Sequence, residues 1–371
     1  MADAPAWDRY AHWSRWPARI LLAAVLAMLV LAALTPITAS EGEARPPSLA
    51  DSPGPARQRD EDLQLYDDVI ARLRRGENYY AVVAEEHRRH NYPLHPGFAV
   101  RLPTLAVIEA LLPPAALIPL SVALLGAVLL AWWRRLGPVE QGGEPGAAPL
   151  RLLAMAGLFF GVSLGTTRYF FVLHELWAGQ LLALAFGLHR PTQGKWLGAW
   201  LAAAAALAFR EHALPFVLLL AAFAAWHRRW CEAAAWAGLI ALFAAALALH
   251  LHVVSGLVHP NDPPSASWLA LRGLNGWLSL EVLSSNLRWL PHYLAGPILM
   301  AALLGWSGWK TPAGTFATLL YLGYGTAFMI AGRIDNFYWG FMVTPALFTG
   351  LAFVPLAAKG LVSAAFPVQQ R

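Results

Sequence analysis

Acids, arginines and histidines gather at a few short places in a chain that is otherwise apolar. Glu61 and Asp62 open a stretch with helical periodicity, and Tyr66 follows Asp62 by four residues. Arg101 stands just before the next apolar run. Arg168 and the pair His174 and Glu175 flank one short connection, Arg210, Glu211 and His212 form a second, and Arg333, Asp335 and Asn336 a third. A carboxylate can take the proton of a hydroxyl nucleophile, and guanidinium groups grip phosphate oxygens in pairs. Together these groups suit transfer from a phosphate carrier to a hydroxyl acceptor. Each cluster also has a plainer reading: Arg210 with Glu211, or Arg333 with Asp335, could be a local ion pair that satisfies helix ends.

The elements that must position these groups follow from composition. Of 371 residues 58% are hydrophobic and 13% charged, where soluble proteins carry roughly 25% charged residues. The 27 Lys+Arg and 22 Asp+Glu cannot coat a globule of this length. That excludes soluble, disordered, collagenous and nucleic-acid-binding classes. One cysteine, Cys231, excludes an intramolecular disulfide or a Cys-rich metal site. The chain reads as an all-α integral membrane protein, a single polytopic domain over 1–371. A spanning helix needs about 20 apolar residues, and ten candidate spans fall at 20–37, 115–133, 152–169, 173–188, 196–209, 214–226, 233–254, 289–305, 313–331 and 337–358. The first, with its long polar, aromatic leader, reads as a retained anchor rather than a cleaved signal peptide.

Lys and Arg in short loops set orientation. With the N-terminus inside, Arg9, Arg15, Arg19, Arg134, Arg135, Arg151, Arg190, Lys195, Arg228, Arg229, Lys310, Lys359 and Arg371 share the cytoplasmic face. Both termini are then cytoplasmic, and the polar stretch 38–103 is a large periplasmic loop between the first two spans. Within it Leu65, Tyr66, Val69, Ile70 and Leu73 form one helical stripe ending at Gly76. A second helix over 79–90 sets Tyr79, Val82 and Val83 against Glu85, Glu86, Arg88 and Arg89. Such helices can lie in a membrane interface with the apolar face down. Under this topology every outer connection carries ionisable or hydrogen-bonding groups, and the inner loops carry mostly bases. Polar groups beside apolar spans are functional candidates, so one outward-facing polar site is the expectation.

The stretch from Asp62 to Pro103 resembles the first outer loop of GT-C type membrane glycosyltransferases, such as the protein O-mannosyltransferases and the aminoarabinose transferase that modifies lipid A. The likeness rests on Asp62 and Tyr66 at their spacing, Gly76, the pair Tyr79 and Tyr80, and the return through Pro93, Pro96, Arg101 and Pro103. FREHALPF at 209–216 and RIDNFYWG at 333–340 are also similar to stretches of bacterial membrane proteins of this general type. The acidic partner here, Glu61, precedes Asp62 instead of following it, which leaves the choice of base between them open. The resemblance implies an inverting transfer from a polyprenyl-phosphate sugar to a lipid or glycan acceptor at the outer face of a bacterial inner membrane. Asp62 would be the base, with Glu61 as alternative, and Tyr66 would orient the loop helix. Arg101, Arg168, Arg210 and Arg333 would hold the phosphate, while His174, Glu175, Glu211, His212, Asp335 and Asn336 would position sugar or acceptor. Some relatives use a divalent metal and others do not, so a divalent metal stays open as the one candidate cofactor, although the sequence offers no strong ligand set.

Three other readings compete. Twelve histidines invite haem or metal, through His174, His212, His250 and His252, yet most stand near span ends, where histidine more often makes a hydrogen bond. A transporter or flippase would use polar groups near spans, commonly at the midplane and with internal repeats. A non-catalytic envelope assembly factor is the third.

Overall fold

A computed structural model describes residues 9–39, 61–137 and 147–367. The described residues are helical, with isolated β-bridges and no strand. In chain order the helices are α1 (Arg15–Leu34), α2 (Glu61–Leu73), α3 (Tyr79–Arg89), α4 (Thr104–Leu111), α5 (Leu117–Arg135), α6 (Ala147–Val162), α7 (His174–Leu188) and α8 (Leu197–Phe209). They continue with α9 (Leu214–Trp226), α10 (Trp230–Ser255), α11 (Gly273–Leu283), α12 (His292–Gly308), α13 (Pro312–Ile330), α14 (Thr344–Leu347) and α15 (Val354–Ala365).

Among the described residues six segments are long and apolar enough to cross a membrane: Arg15–Leu34, Pro114–Arg135, Pro149–Thr166, Trp230–Ser255, Pro312–Ile330 and Thr344–Ala365. Leu197–Phe209 and Glu211–Trp226 are shorter apolar helices. This is the make-up of a multi-pass membrane protein, and large side chains such as Leu31, Leu130, Leu153, Trp226 and Leu249 are exposed on its surface.

The two ends of the bundle differ. At one end Arg9 donates to the carbonyl of Trp309 and Arg19 to that of Ala365. At the other, Thr38 beyond α1 bonds Ser279 of α11, and Arg272 donates to the carbonyl of Arg333. Helices α2, α3 and α4 cap this second end. The apolar stripes expected to face a membrane surface face protein instead: Leu65, Val69, Ile70, Val82 and Val83 are buried, most of them in the core that also holds Trp132, Phe186 and Trp306. Glu86, expected on the polar side of α3, is 1% exposed, because Arg72 and Arg89 reach it at 2.9 and 3.2 Å and supply the charge that water would otherwise supply.

Three elements depart from the sequence reading. α1 begins five residues before the expected span, carrying Arg15 and Arg19 in its first turns, and stops at Thr35 because Pro36 follows. The segment between the spans at 233–254 and 289–305, an outer connection under the expected topology, contains the buried helix α11. The last expected span is not one helix. It runs as 3-10 turns at Phe337–Met342 and Phe348–Phe353 around the short α14, then straightens into α15. Pro345 and Pro355 remove backbone donors there. The irregular backbone lies against glycines of three helices. A Cβ on Gly161, Gly179 or Gly305 would stand 2.5, 1.9 or 1.8 Å from the carbonyl oxygen of Pro345, Phe341 or Gly350 respectively.

Candidate functional site

Asp62 lies in the first turn of α2 and Tyr66 one turn further along the same face. Both line a cavity of about 260 Å³ at the capped end of the bundle. One wall is α2 with the chain from His87 to Arg101. The opposite wall comes from Arg210, Glu211 and His212, with Arg333, Asn336, Tyr338 and Trp339; Ser265 and Trp268 close the rim.

The return segment before α4 is held one carbonyl at a time. His250 donates from Nε2 to the oxygen of Val100 (3.2 Å), Tyr79 from its hydroxyl to that of Arg101 (2.7 Å), and His174 from Nε2 to that of Leu102 (3.1 Å). Three consecutive carbonyls pinned by three side chains leave Arg101 little freedom. Its Nε donates to the Tyr66 hydroxyl at 2.9 Å, and its guanidinium lies 5.3 Å from the centre of the Tyr338 ring. These contacts also explain His174 and His250, which the metal reading had singled out. Each spends Nε2 on a backbone carbonyl, and His250 accepts at Nδ1 from Tyr80 at 3.1 Å.

Beneath the cavity the charges are paired. Glu175 Oε1 lies 2.8 Å from Arg210 Nε and 3.2 Å from Arg101 Nη1. Arg210 also reaches Glu211 at 2.6 Å, and Glu211 lies 3.3 Å from His212 Nδ1. The His212 ring rests 4.6 Å from that of Trp339. At the rim Arg333 and Asp335 form a two-point pair at 3.1 and 2.8 Å, and the Asn336 side chain accepts from the Arg333 amide.

Asp62 accepts a hydrogen bond from the hydroxyl of Tyr92. Burial pushes its carboxyl above the usual carboxylate range, while the Tyr92 bond and the Arg101 charge pull the other way. A carboxylate that holds its proton more tightly than usual, facing an open cavity, is equipped to act as a base. Nearby His87 is moved down to about 4 by burial and stays neutral, donating from Nδ1 to the carbonyl of Pro93.

Comparison with known proteins finds no family model, no curated protein and no solved structure that matches this chain. The site therefore stands on its own geometry.

Of the residues chosen from sequence, Asp62, Tyr66, Arg101, Arg210, Glu211, His212, Arg333 and Asn336 line one cavity. Glu175 and His174 sit directly behind it, and Asp335 pairs with Arg333 at its edge. Arg168 is not brought in; it is exposed on the turn Arg168–Phe170, away from the lining. The side chain of Glu61 lies outside the described residues. Sequence reasoning missed Tyr92, Trp268, Tyr338 and Trp339. Two of these were within reach, because Tyr338 and Trp339 lie inside the RIDNFYWG stretch that already supplied Arg333 and Asn336. Among the described residues, Asp68, Glu86 and His90 stand close enough to share a metal ion. They do not line the cavity, and Arg72 and Arg89 already neutralise Glu86. These residues do not fit a metal centre for the site.

Proposed function

We propose that this chain is a GT-C type membrane glycosyltransferase that moves a sugar from a polyprenyl-phosphate donor to a hydroxyl of an envelope lipid or glycan. The observation that carries the reading is Asp62. It is a desolvated carboxylate facing a cavity that Arg101, Arg210 and Arg333 also line. In this scheme Asp62 takes the acceptor hydroxyl proton as that oxygen attacks the anomeric carbon. The bond from that carbon to the phosphate oxygen breaks with inversion, and the lipid phosphate leaves with the electron pair. Arg333, half-exposed at the rim, would meet the departing charge. Arg101 and Arg210 are already committed to Glu175, so they would set the field of the cavity more than grip the phosphate. No step here runs through a metal.

The placement of the site fits a lipid-borne donor. Ten crossings, formed by α1, α5, α6, α7, α8, α9, α10, α12, α13 and the broken segment ending in α15, would put both termini and the basic loops in the cytoplasm. Asp62, in the 38–103 loop, would then face the periplasm of an inner membrane. The test is a transfer assay in vesicles, with labelled polyprenyl-phosphate sugars and envelope extracts as acceptor, joined to mass spectrometry of envelope glycans from cells carrying Asp62→Asn. Loss of one sugar with folded protein present supports the proposal. Full transfer by Asp62→Asn overturns it.

One observation favours a second reading, a carrier of a lipid-linked or small polar substrate. Glu281 of α11 is buried in the bundle, takes a hydrogen bond from Trp277 at 3.1 Å on one oxygen, and among the described residues has no hydrogen-bond partner on the other. Its helix packs beside the broken final segment, with Leu280 and Ser284 against Gly340, and interrupted helices line substrate paths in many transporters. Glu281 lines neither main cavity, which leaves this reading second. A lipid intermediate accumulating on the cytoplasmic leaflet of deletion cells, without loss of transfer in vitro, would favour the carrier.

A further inference from the structure

A second cavity, of about 230 Å³, lies at the opposite end of the bundle. Three guanidinium groups from three elements line it: Arg135 at the end of α5, Arg190 just after α7 and Arg229 just before α10. Arg135 is fixed, with Nη1 donating to the carbonyls of Phe186 and His189 at 2.6 Å each. Arg229 Nε lies 2.7 Å from Glu232, whose other oxygen is 2.7 Å from His189 Nε2. Glu232 thus answers Arg229 and His189 together. The backbone of Arg190 is held by paired bonds with Lys195 at 2.8 and 3.1 Å, while among the described residues no hydrogen bond or ion pair engages its side chain. The wall is completed by Thr311 and Pro312 at the N-terminus of α13, the positive end of a 19-residue helix.

We propose that this cavity binds a phosphate ester. The uncommitted guanidinium of Arg190, beside an apolar floor of Phe186, Phe223 and Phe316, selects an anion, and planar guanidinium groups match phosphate oxygens in pairs. Two sources share that chemistry, the headgroup of an anionic phospholipid and a free phosphate compound. Basic pockets between membrane helices are known to take lipid headgroups. The site is independent of the glycosyl-transfer reading, since it shares no residue with the cavity around Asp62.

The test uses the full chain in mild detergent, with native mass spectrometry after adding phosphatidylglycerol or phosphatidylcholine, and a thermal-shift series with inorganic phosphate. Retention of phosphatidylglycerol over phosphatidylcholine, falling about tenfold in Arg190→Gln as one paired contact is lost, supports a lipid headgroup. Stabilisation by inorganic phosphate with the same Arg190 dependence, and no preference between lipids, supports a soluble phosphate. Equal retention of the two lipids with no response to phosphate overturns the site, as does a response unchanged in Arg190→Gln. If Arg190→Gln lowers the melting temperature by itself, Arg190→Lys carries the test. It keeps the charge and loses the planar fork, so an intermediate loss of binding supports the proposal and none overturns it.

Discussion

Glu175 and Arg210 form an ion pair 2.8 Å long inside the bundle, with side chains 1% and 3% exposed. Removing one partner of such a buried pair leaves the other charge unanswered and costs about 3–5 kcal/mol. Here Glu175 also faces Arg101, so Glu175→Gln takes the carboxylate from Arg101 and leaves Arg210 with Glu211 alone, and should destabilise the fold by up to about that amount. The rim pair of Arg333 with Asp335 is 29% and 42% exposed, and such pairs contribute about 0–1 kcal/mol. Asp335→Asn should therefore leave the melting temperature nearly unchanged. Thermal unfolding of the two variants in one detergent checks the contrast.

Asp62→Asn should separate activity from stability. Loss of a general base costs about 10²–10⁴-fold in rate. The stability effect has the opposite sign. A carboxyl whose folded-state pKa lies above the unfolded value of about 3.9 loses stability as pH rises through that window. A neutral amide at position 62 removes this penalty. Its melting temperature at pH 7 should equal or exceed that of the wild type, measured beside the transfer rate.

Tyr92 should be visible in the pH profile. Its hydroxyl donates to Asp62 and so favours the ionised form. Tyr92→Phe should raise the pKa of Asp62 further and move the acid limb of the rate profile to higher pH, with activity retained on the alkaline side. An acid limb that stays in place would detach Tyr92 from the base.

The glycine contacts of the final segment predict a sharp difference between two similar substitutions. In Gly305→Ala the new Cβ would meet the carbonyl oxygen of Gly350 at 1.8 Å, a backbone atom that cannot swing aside. The cost should be about 1–3 kcal/mol or more. Gly126 of α5 is exposed with nothing within 4 Å, so Gly126→Ala should gain up to about 1 kcal/mol from helix propensity. Yield and thermal stability of the two proteins report the difference.

The site was more legible in the sequence than the fold around it. Arg210, Glu211, His212, Arg333 and Asn336 stood out because a charged or amide group is costly beside apolar runs. Tyr92, Trp268 and Tyr338 did not, since aromatic residues are expected wherever a chain meets a membrane surface. Burial was invisible as well: Glu175 reads like any first-turn acid, and only the packing shows it answering two arginines behind the cavity. Arg168 shows the limit of proximity in sequence, for it stands six residues before His174 and still turns outward. Helix α11 escaped notice because eleven residues interrupted by Gly276 and Asn275 are too few for a span and too apolar for an exposed helix. The break in the last span is a tertiary matter, settled by glycines more than thirty residues away.

That broken segment also constrains how the protein is made. Backbone groups left unpaired in hydrocarbon cost several kcal/mol each, so an irregular stretch is tolerated only where protein surrounds it. The turns Phe337–Met342 and Phe348–Phe353 are shielded by α6, α7 and α12, all of which leave the ribosome first. The C-terminal portion therefore cannot settle in lipid alone and must slot into a bundle already assembled, like a keystone. A chain cut off before residue 337 would hold an open furrow between α6 and α12 where that segment now lies.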